Sequence, residues 1–243
     1  MVRRKGSYGI DAPYLLPLPV LVIIADIVNG LIAKKPGPFL AAFLITGFCG
    51  FGLYASRRGK FVVWAKLLHD LKLNGDERVL DLGCGRGAVL LLAAQYLSIG
   101  KAVGVDLWRK ADQSGNAAEA TRQNAVAEGV ADRVELHTAN MTDLPFPDNS
   151  FDLVLSNIAI HNVKGKVARD KVIEEAVRVL RPGGRLLIAD MRGTSQYRDR
   201  LVQLGMTDVM RKNLGWRLWW SGPWLPTRLV AANKPDSGVR GAT

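Results

Sequence analysis

Cysteine is scarce in this chain: Cys49 and Cys84 are the two among 243 residues. A pair so placed builds no metal-ligand spacing and no disulfide framework, and it suits a reducing compartment. Histidine is nearly as sparse, with His69, His137 and His161, so chemistry that needs an imidazole has few places to go. Acids are outnumbered, 22 against 33 lysines and arginines, for a net charge of +11. That balance admits an acidic partner: nucleic acid, an anionic cofactor or an anionic lipid surface. A secretory cleavage site is missing too. "RRK" at 3–5 precedes an apolar run, but no small-x-small site follows and a second apolar run does, which argues against a removable signal peptide.

Those apolar runs are what the first quarter of the chain has in abundance. Leu15 to Ala33 reads "LLPLPVLVIIADIVNGLIA" with Asp26 as its only charge, and Pro38 to Ala55 carries none. At about 1.5 Å per residue each is long enough to cross a hydrocarbon core of roughly 30 Å, the second only just. Asp26 costs about 2.5–3.5 kcal/mol at a span centre, and the Leu, Ile and Val residues around it return roughly 4–7 kcal/mol. "KKPG" at 34–37 is a tight polar turn, so the pair is expected to form a hairpin, with Ala42, Thr46 and Gly50 as a small-residue stripe for helix packing. Two buried core helices of a soluble protein remain the competing reading. The expectation is a transmembrane helical hairpin over 1–55, binding the membrane through residues 15–55. Arg3, Arg4 and Lys5 before it and Arg57, Arg58, Lys60 and Lys66 after it place both ends in the cytoplasm, although Lys34 and Lys35 in the turn pull the other way.

Beyond "SRRGK" the pattern changes. Phe61, Trp64, Ala65, Leu68 and Leu71 fall at helical spacing. Apolar strands then alternate with helical segments: strands at 78–83, 101–107, 133–140, 151–160 and 185–190, helices at 88–97, 116–128 and 171–180, the last stopped by "RPGG". Such alternation implies an α/β fold with a parallel sheet covered on both faces, and ligands in that architecture bind at the carboxyl ends of the strands. A helix in "GTSQYRDRLVQLG" and an antiparallel pair from "DVMRKNLGWRL" and "TRLVAANK" close a domain over 56–234. Residues 235–243 read as a flexible tail.

The first strand runs into "VLDLGCGRG" at 79–87. Glycines directly after a strand let the backbone approach a ligand and let φ turn positive. Their spacing, Gly83-Cys84-Gly85-Arg86-Gly87, is G-x-G-x-G and not the G-x-G-x-x-G of dinucleotide enzymes. Asp106 ends the second strand, where an acid accepts hydrogen bonds from ribose hydroxyls. "TANMTDLPFPDNSFD" at 138–152 follows the third strand. Together, and in order, these motifs resemble class I S-adenosylmethionine-dependent methyltransferases over about Phe61 to Asp190. The resemblance implies a doubly wound, mainly parallel, seven-stranded Rossmann-like sheet, preceded here by the hairpin, and S-adenosylmethionine as cofactor. It also implies that Asp81, Gly83, Cys84, Gly85 and Gly87 cradle the methionine part and that Asp106, with Leu107 beside it, grips the ribose. Asn140 stands where the family often has an aspartate beside the adenine amino group, Met141 supplies a wall, and Ser156 and Asn157 lie near the transferring methyl.

For a sulfonium methyl donor the protein's work is positioning, plus a base where the nucleophile bears a proton. His161, in the strand-end turn "NIAIHN", is the candidate base; His69 on a helix and His137 in a strand read as structural, as does loop solvation for Asp143 and Asp148. "GWRLWWSGPW" places Trp216, Trp219, Trp220 and Trp224 close together, as an interfacial belt, a pocket wall or hairpin core. No N/D-P-P-Y/F motif follows the fourth strand, where "SNIAI" stands, which counts against methylation of base amino groups. The expected function is a membrane-anchored methyltransferase with a small, hydrophobic or lipid-like acceptor. An RNA or protein methyltransferase and a non-catalytic cofactor-binding scaffold are the competing readings.

Overall fold

A computed structural model describes residues 4–11, 13 and 17–236. The first residues of the expected first span, at 15–16, and most of the expected tail, at 237–243, lie outside the described residues. The first two helices are apolar, α1 (Pro17–Ala33) and α2 (Pro36–Tyr54), packed as a hairpin about Lys34–Lys35. Gly30 lets the two approach: a Cβ there would sit 2.7 Å from the Phe39 ring. α2 does not stop at Tyr54. It passes through one π-wound turn, Ala55–Gly59, into α3 (Lys60–Leu71), so Pro36–Leu71 is one rod of 36 residues. Among the described residues this is the one helix long and apolar enough to cross a membrane; α1, with 17 residues, falls short. The expectation of two spans is therefore not met: 17 residues reach about 25 Å at about 1.5 Å each, against roughly 30 Å of hydrocarbon.

The rest is a single sheet and its helices: β1 (Arg78–Leu82), α4 (Leu90–Ala94), β2 (Lys101–Asp106), α5 (Ala118–Glu128), β3 (Val134–Thr138), β4 (Phe151–Asn157), α6 (Lys166–Val179), β5 (Leu180–Asp190), α7 (Thr194–Gln203), β6 (Thr207–Asn213) and β7 (Arg228–Asn233). The strand order is β3-β2-β1-β4-β5-β7-β6. The first five are parallel and β7 runs antiparallel between β5 and β6. The order reverses beside β1, and at such a switch point the loops of adjacent strands diverge to leave a crevice at the carboxyl edge. β1, β2 and β4 are buried on both faces because helices cover both, which is why they read as apolar runs without alternation. One core layer joins Trp64 and Leu68 of α3 to Leu90–Ala94 of α4; the other joins Val172, Ile173, Tyr197 and Leu201 of α6 and α7.

"RPGG" does not separate α6 from β5 as a turn. Pairing starts at Phe151↔Leu180, slips, and resumes at Leu153↔Arg185, so those four residues bulge from a strand that begins at Leu180.

Candidate functional site

The loop after β1 is closed by its own backbone. Gly83 and Cys84 donate their amides to the Val105 carbonyl at 2.8 and 3.1 Å, which folds the loop over the end of β2. Gly83 has φ +72° and Gly85 φ +50°. A Cβ at Gly83 would strike Ala159 and one at Gly85 would lie 2.6 Å from Gln113 Oε1, so both positions exclude side chains on space as well as on conformation. Cys84 is buried, its thiol pushed up by burial and then by Asp81 and Asp106. A thiol held protonated in this way is wall, not nucleophile.

Asp81, near the end of β1, is the anomaly beside this loop. It is buried, and its Oδ1 has no hydrogen-bond partner. Burial pushes its carboxyl up to about 7, with a further push from Asp106 and a partial offset from the Leu90 backbone amide. A native fold seldom leaves a buried carboxylate oxygen empty-handed without a ligand to meet it.

Asp106 closes the other side. Its Oδ2 accepts from the Gly85 amide at 2.8 Å, and its Oδ1 accepts from the Trp108 amide at 2.6 Å and the Asn116 side chain at 3.3 Å. Three donors leave a carboxylate room for a further hydrogen bond, since it offers about four lone-pair sites. Leu107 is exposed beside it. Met141 Cε lies 3.4 Å from where a Gly83 Cβ would be, which puts the thioether beside the glycine loop. Asn140 is exposed and its Oδ1 accepts from the Thr142 amide at 3.1 Å, so one of that oxygen's two lone pairs serves its own turn. Asn157 is held by α3, its Oδ1 accepting from Trp64 Nε1 at 2.7 Å, which leaves its NH2 for the crevice. Ser156 is wholly buried and donates to the Leu82 carbonyl, so it knits β4 to β1 and does not reach a methyl group.

His161 lies in the short turn Ile160–Asn162 after β4 and is largely buried. Its backbone N–H donates to Asp190 Oδ2 at 3.0 Å, and its Nδ1 sits 2.7 Å from Asp190 Oδ1. That approach does not form an aligned hydrogen bond at Nδ1, so the contact is one of proximity alone. Asp190 is fully buried at the end of β5, where Met191 N and Tyr197 Oη also donate to it. His137 packs edge-on against Phe146, and His69 is exposed beside Asp70, so neither reaches the crevice.

Sequence reasoning missed three of these partners. Asp190 had a signal, an acid ending a strand just as Asp106 does. Trp64 had none beyond its place on an apolar helix face. The third is Asp11. Residues 4–11 lie along α5: Ser7 N donates to Asn124 Oδ1 and Tyr8 Oη to Glu128 Oε1. Asp11 then gathers Ser56, Lys60 and Gln113, and Gln113 Oε1 in turn accepts from the Arg86 amide of the glycine loop. The π-wound turn and the loop are thereby joined through one carboxylate.

Residues 80–188 match the family described as methyltransferase domain. A demethylmenaquinone methyltransferase of Symbiobacterium thermophilum is 38% identical over 130 residues, 53% of this chain and 47% of the relative. The chain spans about half the length of the curated relatives it matches. A solved SAM-dependent methyltransferase from Aquifex aeolicus has a TM-score of 0.55 at 20% identity, covering 70% of this chain and 88% of that one. The [4+2]-cyclase SpnF has a TM-score of 0.57 at 20% identity, over 71% and 81%. Both share the fold, and a cyclase among them shows that the fold alone does not set the reaction. Over residues 80–188 the chain is thus similar to methyltransferase domains, and S-adenosylmethionine is the cofactor to set against the site. The residues present fit that cofactor on two counts: a buried carboxylate with an oxygen to spare, and a glycine loop with no side chains to obstruct it.

Proposed function

We propose that this protein methylates a lipophilic small molecule that reaches the site from a membrane. The observation that supports it most directly is the Pro36–Leu71 rod. Its first half presents apolar side chains to the outside, and its second half places Trp64 against Asn157 at the carboxyl edge of the sheet. One rigid element thus joins an apolar surface to the crevice. Inserting the hairpin in a bilayer, with the sheet domain on the cytoplasmic side, removes that surface from water and confines the search for a lipid-borne acceptor. The named relative, a demethylmenaquinone methyltransferase, supports a quinone-like ring as acceptor.

On this reading the cofactor, when bound, supplies a methyl group already activated as a sulfonium. The free Oδ1 of Asp81 takes the ammonium of the amino-acid part, Asp106 takes ribose hydroxyls, and Met141 and Leu107 bound the adenine. Asn140, already engaged, contributes less. The NH2 of Asn157 orients the acceptor. Where the acceptor carries a proton, His161 takes it at Nε2, and the buried Asp190 beside Nδ1 stabilises the imidazolium.

The test uses full-length protein in vesicles with S-adenosylmethionine and two 1,4-naphthohydroquinones, one with an isoprenoid chain and one without. Turnover favouring the chain-bearing quinol by about tenfold or more is expected from tethering at the bilayer. Faster turnover of the chainless ring would sink the lipid-borne reading, and no turnover of either, with cofactor bound, would favour another acceptor or a scaffold.

A further inference from the structure

We propose that the base of the hairpin docks anionic lipid headgroups. Residues 27–69 contain no Asp or Glu, and neither do residues 209–235. These two acid-free stretches meet. Phe48 packs edge-on against Trp224 at 4.7 Å between ring centroids, Phe51 against Trp219 at 5.8 Å, and Tyr54 stacks on Trp216 at 5.3 Å. Below this aromatic seam Gly59 admits the Arg217 backbone carbonyl so closely that no Cβ would fit. The Arg217 guanidinium lies 4.8 Å over the Trp216 ring.

The result is a collar where the exposed apolar part of the rod ends. Arg57 and Arg58 are exposed on the π-wound turn and Arg217 is exposed beside them. Trp216 and Trp224 are 47% and 62% exposed, although each has one face on α2. Lys60 is not part of the collar, since it is buried and paired with Asp11 at 2.8 Å. Exposed indoles next to an apolar helix are what the headgroup level of a bilayer accommodates, and arginines there meet phosphate. Asp11, the acid described against this turn, is engaged by Ser56, Lys60 and Gln113, and the exposed side of the collar, with Arg57 and Arg217, attracts net-negative headgroups over zwitterionic ones. Nucleic acid would use the cations but has no use for the apolar helices that continue from them, so lipid is the better fit.

This rests on the hairpin entering a membrane, and the test separates the two. Full-length chain is made by cell-free synthesis with vesicles of phosphatidylcholine alone or with about 30 mol % phosphatidylglycerol, then floated at about 0.1 M and about 1 M salt. About tenfold greater recovery with the anionic vesicles is expected at low salt, since each basic residue near such a surface contributes appreciably. High salt, or Arg57→Gln/Arg58→Gln/Arg217→Gln together, should remove the preference while recovery with phosphatidylcholine persists. Equal recovery with both vesicles overturns the collar and leaves the hairpin reading standing, and recovery with neither overturns both. A preference that survives the triple substitution also overturns the collar. So does a triple variant whose main loss is in binding single-stranded RNA, because the cations would then serve nucleic acid.

Discussion

Two apolar regions of this molecule have met opposite fates. α4, "LLLAA", is buried at every residue between the sheet and α3. α1 and α2 are as apolar, yet Ile32 is 78% exposed and Phe43 74%. Composition does not separate them; neighbours do. The sheet brings helices to both its faces and meets its own demand for burial, at about 25 cal/mol for each Å² removed from water. Among the described residues the hairpin has its partner helix and, at the base of α2, the Trp216–Trp224 segment, so much of each helix keeps an outer face exposed. An exposed apolar patch of this size on a folded chain marks an interaction surface. On the proposed function the difference divides the labour: the carboxyl edge of the sheet carries the chemistry, and the hairpin decides where that chemistry is delivered.

If that division is right, damage to one region should spare the other. The largest effect is expected at His161. Replacing it by alanine should lower the rate by about 10²–10⁴-fold if it is the base. Cofactor affinity by calorimetry and recovery with membranes should be unchanged. A rate within about threefold of the parent would remove His161 from the reaction and leave Asp190 as packing.

How far this was legible in the sequence follows the same line. The parallel strands were legible because burial on both faces forces short apolar runs such as "VLDL" and "DLVL", and the glycine loop because three of its positions cannot carry a Cβ. At the sheet's switch point Asp106 meets the Gly85 amide at 2.8 Å, a contact between two motifs that the sequence shows only separately. What pairs across the fold was not legible. His161 and Asp190 meet because the turn after β4 and the end of β5 are neighbours, and nothing local in either stretch announces it. Asp11 was invisible for the same reason: "SYGID" has no period, and its partners lie 45 to 102 residues away. The turn of Asn140 was not legible either: its Oδ1 accepts from the Thr142 amide two residues on, a local bond that the sequence pattern does not distinguish from a ligand contact.

The next effect is on pH and sharpens the role of Asp81. Its carboxyl stands at about 7 in the fold, above the ordinary carboxylate value, because burial penalises the charge. Between about pH 4 and 7 the native state therefore holds a proton that the unfolded chain has released, and stability falls as pH rises through that window. Asp81→Asn removes the proton and the dependence together. Denaturant unfolding of the ligand-free protein at pH 5 and pH 8 should show the parent losing about 2 kcal/mol more than the variant over that interval. An equal loss would mean that Asp81 is ionised in the fold and already satisfied.

The smallest expected effect bears hardest on the comparison. Leu91 in α4 is wholly buried, and truncating such a residue to alanine costs about 2–5 kcal/mol through lost transfer energy and the cavity left behind. Phe43 is larger, and by composition alone its truncation should cost at least as much. In the structure, however, Phe43 is 74% exposed. Phe43→Ala should then change the unfolding free energy of the sheet domain, followed in detergent by near-ultraviolet circular dichroism, by no more than about 0.5 kcal/mol. Recovery with membranes should fall slightly in the same variant, since one ring among many apolar side chains has been withdrawn from lipid. A loss above about 1 kcal/mol in domain stability would place the Phe43 ring against protein. The hairpin would then be a folded layer of this chain or of an assembly, and its apolar face would no longer argue for a bilayer.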